Sequence, residues 1–151
     1  MYAAMFASKS LRILLAFIIC WDLETQQFDV VNTFPNAKFD EVIYIEFFNG
    51  FKIQGEIVLF LQALYGLRRS SLLWQRLFIE AFTTLGFQPV PDKPYIIIND
   101  WFIIFFFVDD IIYAYKIIDE PHTNDFCTKF IQRFEIRDLG EATWFLNMKI
   151  I

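Results

Sequence analysis

The chain has one histidine, two cysteines and no surplus of basic residues among its 151 positions. Each shortage excludes a class of chemistry. With His122 alone, a zinc site built on two or more histidines is out of reach, and no C-x-x-C spacing offers thiolates in its place. A Ser-His-Asp triad could draw only on His122, and no nucleophile motif accompanies it. Cys20 and Cys127 lack the spacing of a disulfide framework and read as buried, inert thiols of a reducing compartment. Lys and Arg number 13 against 18 Asp and Glu, giving a net charge of −5. The pI of about 4.8 argues against a strongly basic nucleic-acid binder, so any phosphate-binding surface must be local. Arg68, Arg69 and Arg76 form the tight basic cluster, which reads either as such a surface or as a solvated helix face.

A membrane-spanning run is also missing. Leu11–Cys20 resembles the apolar core of a signal peptide behind Lys9, but Arg12 interrupts it and no small-x-small cleavage site follows before Trp21-Asp22. It is too short to cross a bilayer. Leu11, Leu14, Leu15 and Ile18 fall on one helical face with Ser10 as N-cap, which predicts a buried amphipathic helix, membrane targeting being the alternative. The apolar stretch 101–118 is divided near its middle by Asp109 and Asp110 and is not transmembrane either. The expected location is intracellular, cytoplasmic or nuclear, and not secreted.

What the chain has in abundance is apolar bulk: 56% hydrophobic residues and 20 phenylalanines, enough for the core of about one domain and a source of aggregation risk. Against that background the most informative feature is Phe107-Val108-Asp109-Asp110. Ionised carboxylates do not enter an apolar run without compensation. A strand, a tight turn and a second strand resolve the conflict, with the acids at an exposed tip. Such a tip reads as a turn that uses Asp-Asp, or as a holder for a hard cation such as Mg²⁺. Phe28-Asp29-Val30 is a second short apolar strand carrying one acid. If Asp29 meets Asp109 and Asp110 across strands, three carboxylates converge as two-metal phosphoryl transfer requires.

The remaining pattern mixes helices with antiparallel hairpins, an α+β class. Strands are predicted at 27–31, 41–48, 56–61, 95–98, 101–108 and 111–115, with short final strands at 135–137 and 143–151. Ser70–Leu85 is the strongest helix: Trp74, Leu77, Phe78, Ala81, Phe82 and Leu85 repeat at helical spacing, Ser70 or Ser71 caps the start and Gly86 stops it. Pro121 opens another helix, with Phe126, Phe130, Ile131 and Phe134 on one face.

Taken in order, several segments resemble one family. Trp21-Asp22-Leu23, then Gln27-Phe28-Asp29-Val30 through Asn36-Ala37, Glu41-Val42-Ile43-Tyr44-Ile45, Ala63-Leu64-Tyr65-Gly66-Leu67-Arg68 with Trp74, Leu85-Gly86-Phe87, Phe107–Asp110, and Phe134–Glu141 with its Asp138-Leu139-Gly140-Glu141 are similar to the motifs of copia-type LTR retrotransposon reverse transcriptases. The similarity covers roughly 9–151. It implies a polymerase palm with part of the fingers, an antiparallel sheet with helices packed on one face. The chain 1–151 is then expected to be a single domain truncated at both ends, with no RNase H or integrase domain.

The resemblance implies RNA-directed DNA polymerisation with two Mg²⁺ ions, or Mn²⁺ as an alternative. Asp29, Asp109 and Asp110 become catalytic and metal-binding residues. Phe34, Arg68, Arg69 and Phe107 become substrate-binding residues, Phe34 as the ring that excludes a ribose 2′-hydroxyl. The implied partners are an RNA or DNA template with primer, dNTPs, and the remaining Pol segments (fingers, thumb and RNase H), with no membrane. Phe107 replaces a Tyr of the family pattern, Pro35 a Leu, Ala37 a Gly, Arg69 a Gln and Asn147 a Gly. The family's basic fingers segment upstream of Ser8 is expected to be missing, and the isolated activity is then expected to be weak. The alternatives are a catalytically inactive remnant or a non-enzymatic interaction protein. A cyclase-like palm lacks support, since neither Gly-Gly-Asp-Asp nor Gly-Gly-Glu-x-Phe occurs.

Overall fold

A computed structural model describes residues 8–47, 50, 51, 53, 55–146 and 148–150. Helix α1 (Ser8–Cys20) leads into strand β1 (Glu24–Val30) and a 3₁₀ turn at Phe34–Asn36. A small hairpin, β2 (Tyr44–Ile45) with β3 (Val58–Leu59), precedes α2 (Ser70–Thr84). Four strands follow: β4 (Gln88–Val90), β5 (Lys93–Ile98), β6 (Phe102–Phe107) and β7 (Asp110–Tyr115). Then come α3 (Glu120–Arg133), β8 (Ile136–Glu141) and a closing hairpin of β9 (Trp144–Phe145) and β10 (Met148–Lys149).

The main sheet runs β4-β5-β6-β7-β1-β8, and every neighbouring pair is antiparallel. Consequently β1 is parallel to β6 across β7, and β7 is parallel to β8 across β1. The units β1-α2-β6 and β7-α3-β8 are thus two interlocked split crossovers, a β-α-β-β-α-β core with the β4–β5 hairpin inserted before β6. This arrangement carries the first and third strands side by side at the centre, which is where Asp29 and Asp110 lie.

The α+β class agrees with the sequence reading. Cross-strand partners share a face, so Phe28, Phe102, Phe106 and Tyr113 form one apolar side of the sheet. Helices α2 and α3 cover it with aromatic rings: Phe78 lies 4.6 Å from Phe106, Phe126 lies 4.9 Å from Phe102, and Phe82 meets Phe130 at 5.0 Å between the helices. Tilted pairs of this kind add to the area they bury, and they absorb much of the phenylalanine excess. The other side is also apolar at Ile96, Ile98, Ile103 and Ala114. There α1 lies over the strands, and its Ile13, Leu14 and Phe17 share with them the wall of a cavity of about 670 Å³. Helices therefore occupy both faces, not one as expected, because strands apolar on both sides need cover on both.

Several local expectations are corrected. Ser10 does not cap α1; the helix already includes Ser8, and the buried Ser10 hydroxyl lies 3.1 Å from that of Tyr95. Arg69 occupies the N-cap of α2, while the Ser70 hydroxyl donates to the Leu64 carbonyl at 2.6 Å. The strands expected at 41–48 and 56–61 shrink to two residues each, Phe48 lying outside the described residues. Strand β4, with Pro89 at its middle, was not foreseen; it sits at a sheet edge, where a missing N–H is tolerated. The final expected strand is a hairpin, with Asn147 and Ile151 outside the described residues. Ile131 is exposed, because its partners Phe126 and Phe130 already fill the α3–sheet contact. Cys20 is exposed at the end of α1, and Cys127 is half-buried beside the Tyr113 hydroxyl. No helix among the described residues is long and apolar enough to cross a membrane.

Candidate active site

The Phe107–Asp110 segment forms the hairpin that the apolar flanks demand. Phe107 pairs with Asp110, leaving Val108 and Asp109 as the two-residue turn between β6 and β7. Val108 has a φ of 59°, a conformation normally left to glycine and strained for a β-branched residue. Such strain costs on the order of 1–3 kcal/mol and persists where surroundings over-determine it. Here both turn carbonyls are held from outside the hairpin. The Trp74 indole N–H of α2 donates to the Val108 carbonyl at 2.7 Å, and the Val30 N–H of β1 donates to the Asp109 carbonyl at 2.9 Å.

The register then places the acids. Asp29 is the direct cross-strand partner of Asp110, with Asp109 next to it in the turn. Both Asp29 and Asp110 project from the side of the sheet opposite the α2–α3 aromatic layer, since Phe28 and Ile111 take that layer. Burial raises the Asp110 pKa, and the charges of Asp109 and Asp29 raise it further; a hydrogen bond from the Gln27 side chain works the other way. The three carboxylates therefore act on one another as like charges. They do not form a ready cage: among the described residues, no three His, Cys, Asp or Glu side chains are grouped so as to hold a metal ion. The donor set itself, three hard carboxylates on neighbouring strand ends, suits Mg²⁺ or Mn²⁺ chemistry. One cation is already near: an Arg137 guanidinium nitrogen lies 3.6 Å from an Asp29 oxygen.

Of the other sequence candidates, Phe107 belongs to the hairpin, while Phe34, Arg68 and Arg69 lie around the start of α2. Phe34 opens the 3₁₀ turn that follows β1, half-buried, with its ring 4.6 Å from that of Tyr65. It also packs against the small cluster of Ala37, Ala63 and Leu73. Ala37 has a φ of −93° and its side chain is buried in that cluster, so no glycine is needed at this position. The buried Thr33 hydroxyl ties the turn to the Val30 carbonyl at 3.0 Å, one residue beyond Asp29. Arg69 is engaged within the protein: it pairs with Asp40 at 2.5 Å and with Glu41. Arg68 and Arg76 are exposed, and Phe107 is 38% exposed at the base of the turn. Helix α2 joins the two groups, through Leu73 and Leu77 to Phe34 and through Trp74 to the acidic hairpin. The roles of Trp74, Gln27, Tyr65 and Arg137 were not assigned from sequence. Gln27, two residues before Asp29, shares its strand face.

Comparison with known proteins agrees with the motif order. The profile of the family described as reverse transcriptase (RNA-dependent DNA polymerase) matches residues 1–151. A relative, the Retrovirus-related Pol polyprotein from transposon TNT 1-94 of Nicotiana tabacum, is 27% identical over 150 residues. The match covers 94% of this chain and 11% of that polyprotein, so the chain spans a small part of the curated relative. No solved structure matches significantly. With the whole chain under one family profile and the copia-type motifs in order along it, the chain belongs to the reverse transcriptase (RNA-dependent DNA polymerase) family of copia-type retrotransposons.

Proposed function

We propose that the chain is the catalytic palm portion of an RNA-directed DNA polymerase that works by two-metal nucleotidyl transfer. The observation that carries this reading is the cross-strand pairing of Asp29 with Asp110, with Asp109 in the adjoining turn, in a chain of this family. Asp29 and Asp109 would hold two Mg²⁺ ions and Asp110 would complete the acidic set. When bound, such ions would supply a lowered pKa at the primer 3′-hydroxyl and charge stabilisation of the in-line transition state. The chain's own residues supply position. Trp74 and Val30 fix the turn that presents Asp109. Phe34 offers a flat ring, braced by Tyr65, to the sugar of the incoming dNTP. Phe107 supports the primer end beside Asp110. Arg68 and Arg69, at the start of α2, meet phosphate, Arg69 by exchanging Asp40 and Glu41 for it. The partners are a primed RNA or DNA template, dNTPs and other Pol segments.

A second reading, an interaction module without catalysis, draws on the apolar side chains exposed between the 3₁₀ turn and α2, among them Val42, Phe51, Ile57 and Leu61. Primer extension on a primed RNA template with Mg²⁺ or Mn²⁺ separates the two. The polymerase reading expects weak incorporation, because a net charge of −5 disfavours template binding. Incorporation should vanish in Asp109→Asn and rise when fingers and thumb segments of a relative are supplied. A folded protein that incorporates nothing even then supports the interaction module.

A further inference from the structure

The strand register extends the acidic site by one residue that no motif identifies. Across β6, β7, β1 and β8 the direct partners are Phe107, Asp110, Asp29 and Arg137. These four form one row on one face of the sheet, with the guanidinium at its end 3.6 Å from Asp29.

The sign of the charge at the end of that row depends on a bulge. At the start of the β1–β8 pairing, Gln26 faces Glu141 and Gln27 faces Gly140. Continued without interruption, that register would set Asp138 opposite Asp29, an acid against an acid. The register instead shifts between Gln27 and Phe28, so that Phe28 faces Asp138 and Asp29 faces Arg137. Gly140, at a φ of 73°, permits the shift. Asp138 is retained on the bulge itself, its carboxylate accepting the Gly140 N–H at 2.9 Å. The Asp138-Leu139-Gly140 segment thus acts as a register device. It removes one carboxylate from the row and puts a cation in its place.

We infer that Arg137 is a positioning residue of the acidic site, a built-in counter-ion that holds Asp29 between metal-binding events and competes with divalent cations for it. This rests on the reading of Asp29 as a metal ligand. Arg137 is 70% exposed and the pair is longer than a tight ion pair, so the contact is weak and exchangeable. A doubly charged ion shared with Asp109 and Asp110 can displace it, whereas a strong buried pair would block the site. The competition lowers the metal affinity that the three acids would otherwise have.

Direct Mn²⁺ binding to the full chain, read from the loss of the free-ion electron paramagnetic resonance signal, tests the inference without any turnover. Arg137→Gln is expected to tighten Mn²⁺ binding about three- to ten-fold, the effect of removing one charge a few ångströms from a carboxylate in largely aqueous surroundings. Arg137→Glu should tighten it further, and Arg137→Lys should return it to the parent value. Unchanged or weaker binding in both Arg137→Gln and Arg137→Glu would overturn the inference while leaving the metal site standing. Absence of saturable Mn²⁺ binding in the parent, or its persistence in Asp29→Asn, would overturn the metal-ligand reading and this inference with it. Circular dichroism of each variant establishes that the exposed substitutions leave the fold intact.

Discussion

The acidic hairpin and the segment between Lys38 and Leu67 both contact α2 and are built in opposite ways. The hairpin joins the two most buried strands of a six-stranded sheet, and both carbonyls of its turn are held by other elements. The other segment has strands of two residues, and Val42, Phe51, Ile53, Ile57 and Leu61 are each more than half exposed. Its firmest attachments are the Arg69 pairs to Asp40 and Glu41 and the bond from the Ala63 N–H to the Ala37 carbonyl. The contrast locates the division of labour. The geometry of the proposed metal ligands is secured by this chain's own core, whereas the residues proposed to meet nucleotide and template stand on a surface that invites further packing, as other Pol segments would provide.

The largest effects should fall on the hairpin side. Phe78 is fully buried and its ring contacts Trp74, Phe82, Phe106, Phe130 and Phe134. Phe78→Ala should cost about 3–5 kcal/mol in denaturant unfolding. Leu61→Ala, at a side chain 71% exposed, should stay within about 0.5 kcal/mol. Equal losses at the two positions would break the comparison. Trp74→Phe keeps most of the apolar bulk but leaves the Val108 carbonyl without its donor, a loss of about 1–3 kcal/mol. It should also weaken divalent-cation binding, since the turn bearing Asp109 loses a restraint; unchanged binding would show that β1 alone fixes the turn.

On the other side, Phe34→Val should raise ribonucleotide incorporation relative to dNTP about ten-fold or more, the scale of a removed steric clash. Competition assays on a primed template would read this, and unchanged selectivity would place Phe34 away from the sugar. The subtlest effect is electrostatic. Asp110 is raised by burial first and by Asp109 and Asp29 next, so the folded state holds its proton more tightly than the unfolded chain does. Stability from this group is therefore greatest below the ordinary value of 3.8 and falls as pH rises through the folded-state value. Asp110→Asn should raise Tm at neutral pH, with the gain shrinking as pH falls, as a melting series across pH would record.

Much of this contrast was legible in the amino-acid sequence, and the reasons for the exceptions are physical. Helical periodicity in 70–85 and the apolar flanks of Asp109-Asp110 are local signals, and they located α2 and the β6–β7 hairpin within a residue or two. The alternation in 41–48 is equally local, but no layer covers it, and only Tyr44–Ile45 pairs. Ser10 and Ser70 look like caps in isolation; in the fold their hydroxyls are bonded to Tyr95 and Leu64. At the site, Asp29, Asp109 and Asp110 announce themselves as acids in apolar runs. Arg137 does not, because its place opposite Asp29 depends on a bulge that shifts pairing between strands far apart in the chain.

The most direct test is the melting temperature of the full chain with and without Mg²⁺, beside that of Asp109→Asn. If the acids at the end of the sheet bind the ion, Mg²⁺ at about ten times its Kd should raise Tm by roughly 3–6 °C through binding to the folded state. The shift should disappear in Asp109→Asn. An equal rise in parent and variant, or none in the parent, would contradict the assignment of these carboxylates as a metal site.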